Sequence, residues 1–209
     1  MNYKRKGLNE SLRVVLRAID LLFLITRITQ FNQSPVRLKE LVLVELGPGP
    51  TRLSFLKKLL FKEVVFIDIM NYGISDPSLL IHDLSKDIPL PEEIFKSIKP
   101  DDSFNTIYMA DHCLEHLPFS VILDFFSNYK GSFIFRVPNV RSISGLQDFR
   151  RDSTHLTAFD DQQLELIRSV SGINIMFWTR FYAAKLDFFS HFKNPELYAR
   201  ELCIYEIRI

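Results

Sequence analysis

A chain of 209 residues, 47% hydrophobic and 24% charged, is long enough for one full α/β domain with a sizeable core. Its formal charge of +1, from 26 basic against 25 acidic residues, supplies no basic field of the kind that draws nucleic acid. The two cysteines, Cys113 and Cys203, lack any paired spacing, which argues against a disulfide scaffold or a cysteine zinc site and suits a reducing cytoplasm.

Residues 1–35 begin Met1-Asn2-Tyr3-Lys4-Arg5-Lys6 and pass through the apolar run Leu21 to Thr26. Arg13, Arg17, Asp20 and Arg27 interrupt that run, so no uncharged stretch approaches the roughly 20 residues that span a bilayer. Leu12, Val15, Leu16, Ile19, Leu22 and Phe23 recur at helical spacing and predict an amphipathic helix, packed either on the domain's own sheet or against a membrane surface or partner.

The next stretch, Leu41 to Arg52, organises the chain. Leu41-Val42-Leu43-Val44-Glu45-Leu46 is an apolar run bounded by Gly and Pro, which predicts a buried strand of a parallel sheet. Gly47 and Gly49 then allow a sharp turn with no side chain between backbone and ligand, and Thr51 to Phe61 reads as helical. Strand, glycine turn and helix form the nucleotide-binding corner of a doubly wound fold. A Walker phosphate loop needs a Gly-Lys-Ser/Thr ending, which is absent. A dinucleotide turn needs a third glycine where Arg52 stands, and the Glu45 carboxylate suits a cationic amino acid better than a pyrophosphate.

Val44-Glu45-Leu46-Gly47-Pro48-Gly49 resembles the first motif of the class I S-adenosylmethionine (SAM)-dependent methyltransferases. The resemblance implies that Glu45, Gly47 and Gly49 hold the methionine end of SAM. The third small residue of that motif falls at Thr51, behind Pro50, so this loop is stiffer than its relatives'.

Glu63 to Asp68 predicts a second strand ending in a carboxylate, 23 residues (68 − 45) after Glu45 and near the distance of about 20 at which nucleotide folds set an acid against ribose hydroxyls. Ile69 follows it. Leu79-Leu80-Ile81-His82-Asp83-Leu84 predicts a third strand, and by resemblance Asp83, with Leu84 beside it, accepts from the adenine amino group.

Asp102 to Asp111 predicts a fourth strand, followed by His112-Cys113-Leu114-Glu115-His116-Leu117-Pro118. One reading of that run is a metal site, because His-x-x-Glu-His sets two imidazoles at i and i+4 on one helix face beside a glutamate. The other follows the resemblance: Leu-Glu-His-Leu-Pro starts a helix beside the cofactor, no metal is bound, and Ala110, Asp111 and His112 line the cofactor and the transferred methyl. The site prediction adopts the second.

Gly131 to Asn139 predicts a fifth strand ending Val-Pro-Asn, then Arg150 to Phe159 reads as a polar loop and Asp160 to Val170 as a helix. Val-Pro-Asn followed by Asp152-Ser153-Thr154-His155 resembles a methyltransferase subgroup that accompanies bacterial surface-polysaccharide genes, in which the Thr-His segment folds over the acceptor side. His155 is then either a general base, with Asp111 and His112 as fallback bases, or a hydrogen-bonding strut. Ile173 to Trp178 and Glu201 to Arg208 complete the strands, and the aromatic cluster from Phe181 to Phe192 is either core or a cap on an acceptor pocket.

The expected architecture is α/β: a Rossmann-like, seven-stranded, mostly parallel sheet over residues 36–209, with helices on both faces and the last strand antiparallel. The expected activity is SAM-dependent methyl transfer to a small-molecule or glycan acceptor, at a hydroxyl. The protein would work in the cytoplasm without DNA or a transmembrane segment, and a homodimer is compatible with it. A catalytically silent scaffold of the same fold and an RNA methyltransferase are the alternatives.

Overall fold

The computed structural model describes residues 26, 38–49, 54–71, 77–94, 106–178 and 194–207. Seven strands, β1 (Val42–Leu46), β2 (Glu63–Asp68), β3 (Leu79–Ile81), β4 (Thr106–Asp111), β5 (Ser132–Pro138), β6 (Asn174–Trp178) and β7 (Glu201–Glu206), form one sheet in the order β3-β2-β1-β4-β5-β7-β6. The pairings among β1 to β5 are parallel, whereas β7 runs antiparallel to both β5 and β6. The last strand alone is therefore reversed, as expected.

The sheet lies in the middle layer because its central strands are apolar on both faces. All five residues of β1 and all seven of β5 are buried. Successive side chains of a strand point to opposite faces. Val42, Val44 and Leu46 accordingly enter one core with Tyr108, Ala110, Phe133 and Phe135, while Leu41 and Leu43 enter the other with Phe61, Val64, Phe66, Ile107 and Met109.

Among the described residues six α-helices accompany the strands: α1 (Ser54–Leu60), α2 (Pro91–Ile94), α3 (Phe119–Asn128), α4 (Ile143–Arg151), α5 (Asp161–Val170) and α6 (Pro195–Tyr198). Ile122, Phe125 and Phe126 of α3, with Leu164 and Ile167 of α5, fall at i, i+3, i+4 spacing and pack into the first core. Phe126 meets Phe133 edge-on at 5.0 Å between ring centroids, a geometry that adds about 0.5–1.5 kcal/mol to burial. Tyr108, fully buried there, satisfies its hydroxyl on the Pro89 carbonyl at 2.6 Å. Asp160, read as the first residue of a helix, is instead the cap of α5, its carboxylate accepting from the Gln162 and Gln163 amides.

Two local expectations need correction. Arg150 and Arg151 are the last turn of α4 and not loop. The His112–Pro118 run does not begin a helix: only Leu114–His116 form a short 3-10 turn, and the long helix starts at Phe119, after Pro118. Proline has no amide proton and a fixed φ, which suits it to a helix start and not to a helix interior. The predicted N-terminal helix of residues 1–35 lies outside the described residues apart from Thr26, as do the residues before Ser54 in the first helix, the start of the fourth strand before Thr106, and the aromatic cluster from Phe181 to Phe192.

Candidate active site at the carboxyl edge of the sheet

Strand order reverses between β1 and β4, and ligands of open α/β sheets bind in the crevice at such a switch point, beyond the carboxyl ends of the strands. At that point Gly47 donates its amide to the Ile67 carbonyl at 2.8 Å, and both Gly47 (φ +59°) and Gly49 (φ +64°) adopt the left-handed conformation that other residues avoid. The two glycines face different surroundings. A Cβ on Gly47 would stand 2.6 Å from Cys113 Sγ, whereas one on Gly49 would meet nothing within 4 Å. Gly47 is required by packing, and Gly49 leaves bare backbone beside open space.

Asp68, buried at the end of β2, holds this turn in place: Gly49 donates its amide to Asp68 Oδ2 at 3.1 Å, and the Met70 amide lies 3.5 Å from Oδ1. Two carboxylate oxygens offer about four acceptor positions, so this role is compatible with accepting from ligand hydroxyls as well. Ile69 and Met70 stand exposed beside it as an apolar rim.

Glu45 and Asp83 are engaged within the protein. The buried Glu45 carboxylate pairs with the equally buried Lys57 ammonium of α1, which also sits 5.8 Å from the centre of the Phe66 ring. That pairing offsets the charge that suggested a cationic ligand. Asp83 Oδ1 accepts from the Ser85 hydroxyl at 2.6 Å and the Ser85 amide at 3.1 Å, and Oδ2 lies 3.4 Å from Lys86 Nζ. These bonds, the Ser85 hydroxyl foremost, hold its carboxyl below the usual range. Leu84 is buried in the first core.

At the end of β4, Ala110 is buried and Asp111 is gripped by a guanidinium fork: Arg136 donates from Nε to Oδ1 at 3.0 Å and from a terminal nitrogen to Oδ2 at 2.7 Å. His112 has φ +56°, outside helical conformation, and its ring lies between two carboxylates, with Nδ1 3.0 Å from Glu115 Oε1 and Nε2 3.0 Å from Glu201 Oε1. Burial opposes the charge on this ring, but the bonds to Glu115 and Glu201 outweigh it and push its pKa up to about 9. His112 is thus an imidazolium with a donor at each nitrogen. Cys113 is no nucleophile: burial, reinforced by the Glu115, Asp68 and Glu45 carboxylates, pushes its thiol well above the usual value.

His155 is also well enclosed, its side chain only 8% exposed. Nδ1 lies 2.8 Å from the Phe149 carbonyl, the ring stacks on Phe149, and the His116 ring is 4.6 Å away between centroids. Nε2 is 3.9 Å from Glu115 Oε1. The loop carrying it is docked on the turn after β4, where Leu156 and Thr157 donate their amides to the Glu115 carbonyl at 2.7 and 3.0 Å, and Thr157 Oγ1 donates to the Leu117 carbonyl.

His112 and His155 therefore converge on one buried carboxylate, Glu115, and Asp111 is linked to them through Arg136 and Glu201, whose side chains lie 3.7 Å apart. Gly47, Gly49 and Asp68 form a second group, which meets the first where Gly47 abuts Cys113. Sequence reasoning missed Arg136, Glu201 and the pairing role of Lys57. Arg136 carried a signal: an arginine inside the apolar strand Ser132–Pro138 is almost never buried without a partner.

No protein-family model matches the chain, and no curated protein matches it. Solved structures do. A SAM-dependent methyltransferase from Archaeoglobus fulgidus is 16% identical, with 91% of this chain and 93% of that one covered and a TM-score of 0.58. A chain of the Haloferax volcanii complex between the Trm112 methyltransferase activator and a methyltransferase is 13% identical, covering 83% of this chain and 84% of that one at a TM-score of 0.54. A SAM-dependent methyltransferase from Mesorhizobium loti is 14% identical, covering 83% and 94% at a TM-score of 0.50. At such identities the likeness is one of fold, and the chain has the Rossmann-like fold of these SAM-dependent methyltransferases.

Proposed function

We propose that this chain is a SAM-dependent methyltransferase acting on a hydroxyl of a small-molecule or glycan acceptor. The observation that carries the reading is the pair of left-handed glycines at the switch point, one locked against Cys113 and the other open, with Asp68 buried beside them. The names of the neighbours sharing this fold point to the same cofactor. When bound, SAM supplies an electrophilic methyl group on a sulfonium.

The chain's residues provide binding and position. Gly47 and Gly49 bring bare backbone to the cofactor, Asp68 accepts from ribose hydroxyls while holding the turn, and Ile69, Asp83 and Leu84 wall the adenine end. Ala110 and Asp111 line the side facing β4, and Glu45, through Lys57, fixes the strand and helix that frame the turn. Holding two reactants in near-attack geometry accounts for much of such a rate enhancement.

On the acceptor side a hydroxyl must lose a proton. Asp111 is committed to Arg136 and His112 already carries both ring protons, so neither is suited to accept one. His155 differs: its Nδ1 proton is held by the Phe149 carbonyl, which leaves the Nε2 lone pair as the acceptor. The Val-Pro-Asn and Thr-His pattern supports a surface-polysaccharide acceptor in the cytoplasm, and no described helix is long and apolar enough to cross a membrane. Calorimetry tests the cofactor: SAM and its demethylated product should bind where NAD and ATP at equal concentration do not. Failure of both to bind would end the reading, and a metabolite screen with labelled SAM tests the acceptor.

A further inference from the structure

We infer that Glu115, His116 and His155 form a binding site for a divalent transition-metal ion, of the zinc type. Among the described residues, one ligand atom from each of these three side chains lies within 4.8 Å of the others. The set joins a turn after β4 to the loop after α4, so it differs from the i, i+4 pair that the sequence spacing suggested.

The hydrogen bonds around the three side chains fix what they offer. The Thr154 hydroxyl donates its one proton to Asp152 Oδ1 at 2.6 Å, so its oxygen must accept from His116 Nδ1, 2.9 Å away. Likewise His155 Nδ1 must donate to the Phe149 carbonyl. Each ring therefore has its Nδ1 occupied and its Nε2 left for another partner. His155 Nε2 lies 3.9 Å from Glu115 Oε1 and 4.0 Å from Asp152 Oδ2. Glu115 is wholly buried, its Oε1 is bonded to His112, and its Oε2 has no hydrogen-bond partner. His112 satisfies one oxygen of this carboxylate, and the unpartnered oxygen beside two imidazole nitrogens is the place a further cation would fill.

Two imidazoles and a carboxylate are a common zinc set that leaves a fourth position open. Ligands at about 2.0–2.1 Å from a tetrahedral ion lie roughly 3.3 Å apart, so three atoms that lie within 4.8 Å of one another reach that spacing by side-chain rotation and not by movement of the backbone. Metal-bound histidines usually donate the other ring nitrogen to a carbonyl or a carboxylate-linked group, and ligating carboxylates are themselves hydrogen-bonded; all three residues here meet that condition. The site does not depend on SAM binding. In protein loaded with the ion, His155 would be a ligand and not a free base, and the ion would supply Lewis acidity to a hydroxyl at the open position, whose proton would pass to solvent.

The test is a titration of the full chain, stripped with a chelator and free of SAM, using Zn²⁺ against a chromophoric competitor and Co²⁺ for visible absorption. One ion per chain is expected, with a cobalt band characteristic of four or five ligands. His155→Asn and Glu115→Gln should each weaken zinc at least tenfold and abolish the band. Thr154→Val, which removes the support of His116 along with the hydroxyl's bond to Asp152, should weaken zinc about 10- to 100-fold with the fold intact by circular dichroism, while His82→Gln leaves it unchanged. Zinc affinity equal in wild type, His155→Asn and Thr154→Val, or a cobalt spectrum like that of the hydrated ion, would overturn the site and assign the space between His155 and Glu115 to a proton.

Discussion

The two glycines of the turn should fail differently when each receives a methyl group. Gly47→Ala and Gly49→Ala both force an L residue into the left-handed region, at about 1–2 kcal/mol each. For Gly49 nothing adds to that, since its new Cβ meets no atom within 4 Å. In a chain of this size such a loss lowers the melting temperature by roughly 2–8 °C. For Gly47 the Cβ would stand 2.6 Å from Cys113 Sγ and 2.9 Å from Cys113 Cβ, an overpacking that typically costs a further 1–3 kcal/mol. The total of about 2–5 kcal/mol is a large share of the 5–15 kcal/mol that holds a domain together. Binding should show the reverse order. In Gly49→Ala the methyl occupies the open space where the cofactor backbone contact is proposed, so SAM affinity should fall steeply in a protein that is nearly as stable as wild type. Urea unfolding and calorimetry on both variants decide the matter. Equal stability of the two, or unchanged SAM affinity in Gly49→Ala, would refute the assignment of one glycine to packing and the other to the ligand.

Lys57→Met should cost about 3–5 kcal/mol by leaving Glu45 charged, buried and without its ammonium, and the double change with Glu45→Gln should recover most of the loss; urea unfolding of both variants measures it. In chelator-treated protein, the bonds that raise the His112 pKa from 6.5 to about 9 favour the folded state at low pH, so their contribution is complete below about pH 6.5 and is lost as pH rises through 9. Melting curves from pH 6 to 10 should show that decline in wild type and a shallower one in His112→Gln. Once an acceptor is known, His155→Ala should lower turnover of the chelator-treated protein, in which His155 is free to act as base, by about 10² to 10⁴ with SAM affinity nearly constant. Near-normal turnover in steady-state assays would make the residue a strut.

What the sequence disclosed was what local pattern controls. An apolar run ended by Gly-x-Gly allows little besides a buried strand and a tight turn, and carboxylates at the ends of the next strands repeat the arrangement of a parallel sheet. The helix Ile143–Arg151 escaped because its one buried residue is Gly145, so there was no apolar stripe to read. The two histidines of His112-Cys113-Leu114-Glu115-His116 have helical spacing, yet the positive φ of His112 sends its ring to Glu201 and leaves His116 to meet His155. Which partner a buried charge takes is a matter of register between distant strands. Arg136 reaches Glu201 because β7 lies antiparallel to β5 with Arg136 opposite Cys203 and Pro138 opposite Glu201, and no local window of sequence contains that pairing.

The cradle of glycines and the histidine cluster are parts of one mechanical unit. Cys113, whose side chain fills the space that a Cβ on Gly47 would need, immediately precedes the 3-10 turn that carries Glu115 and His116. The backbone of Glu115 in turn anchors the loop of His155 through its carbonyl. Close-packed neighbours transmit displacement because they have no void to absorb it. A side chain at Gly47 must therefore push Cys113 and, with it, the turn that sets the spacing of Glu115, His116 and His155, while a Cβ at Gly49 meets none of them within 4 Å. The missing side chain at Gly47 thus serves the geometry of the histidine cluster as much as that of the glycine turn.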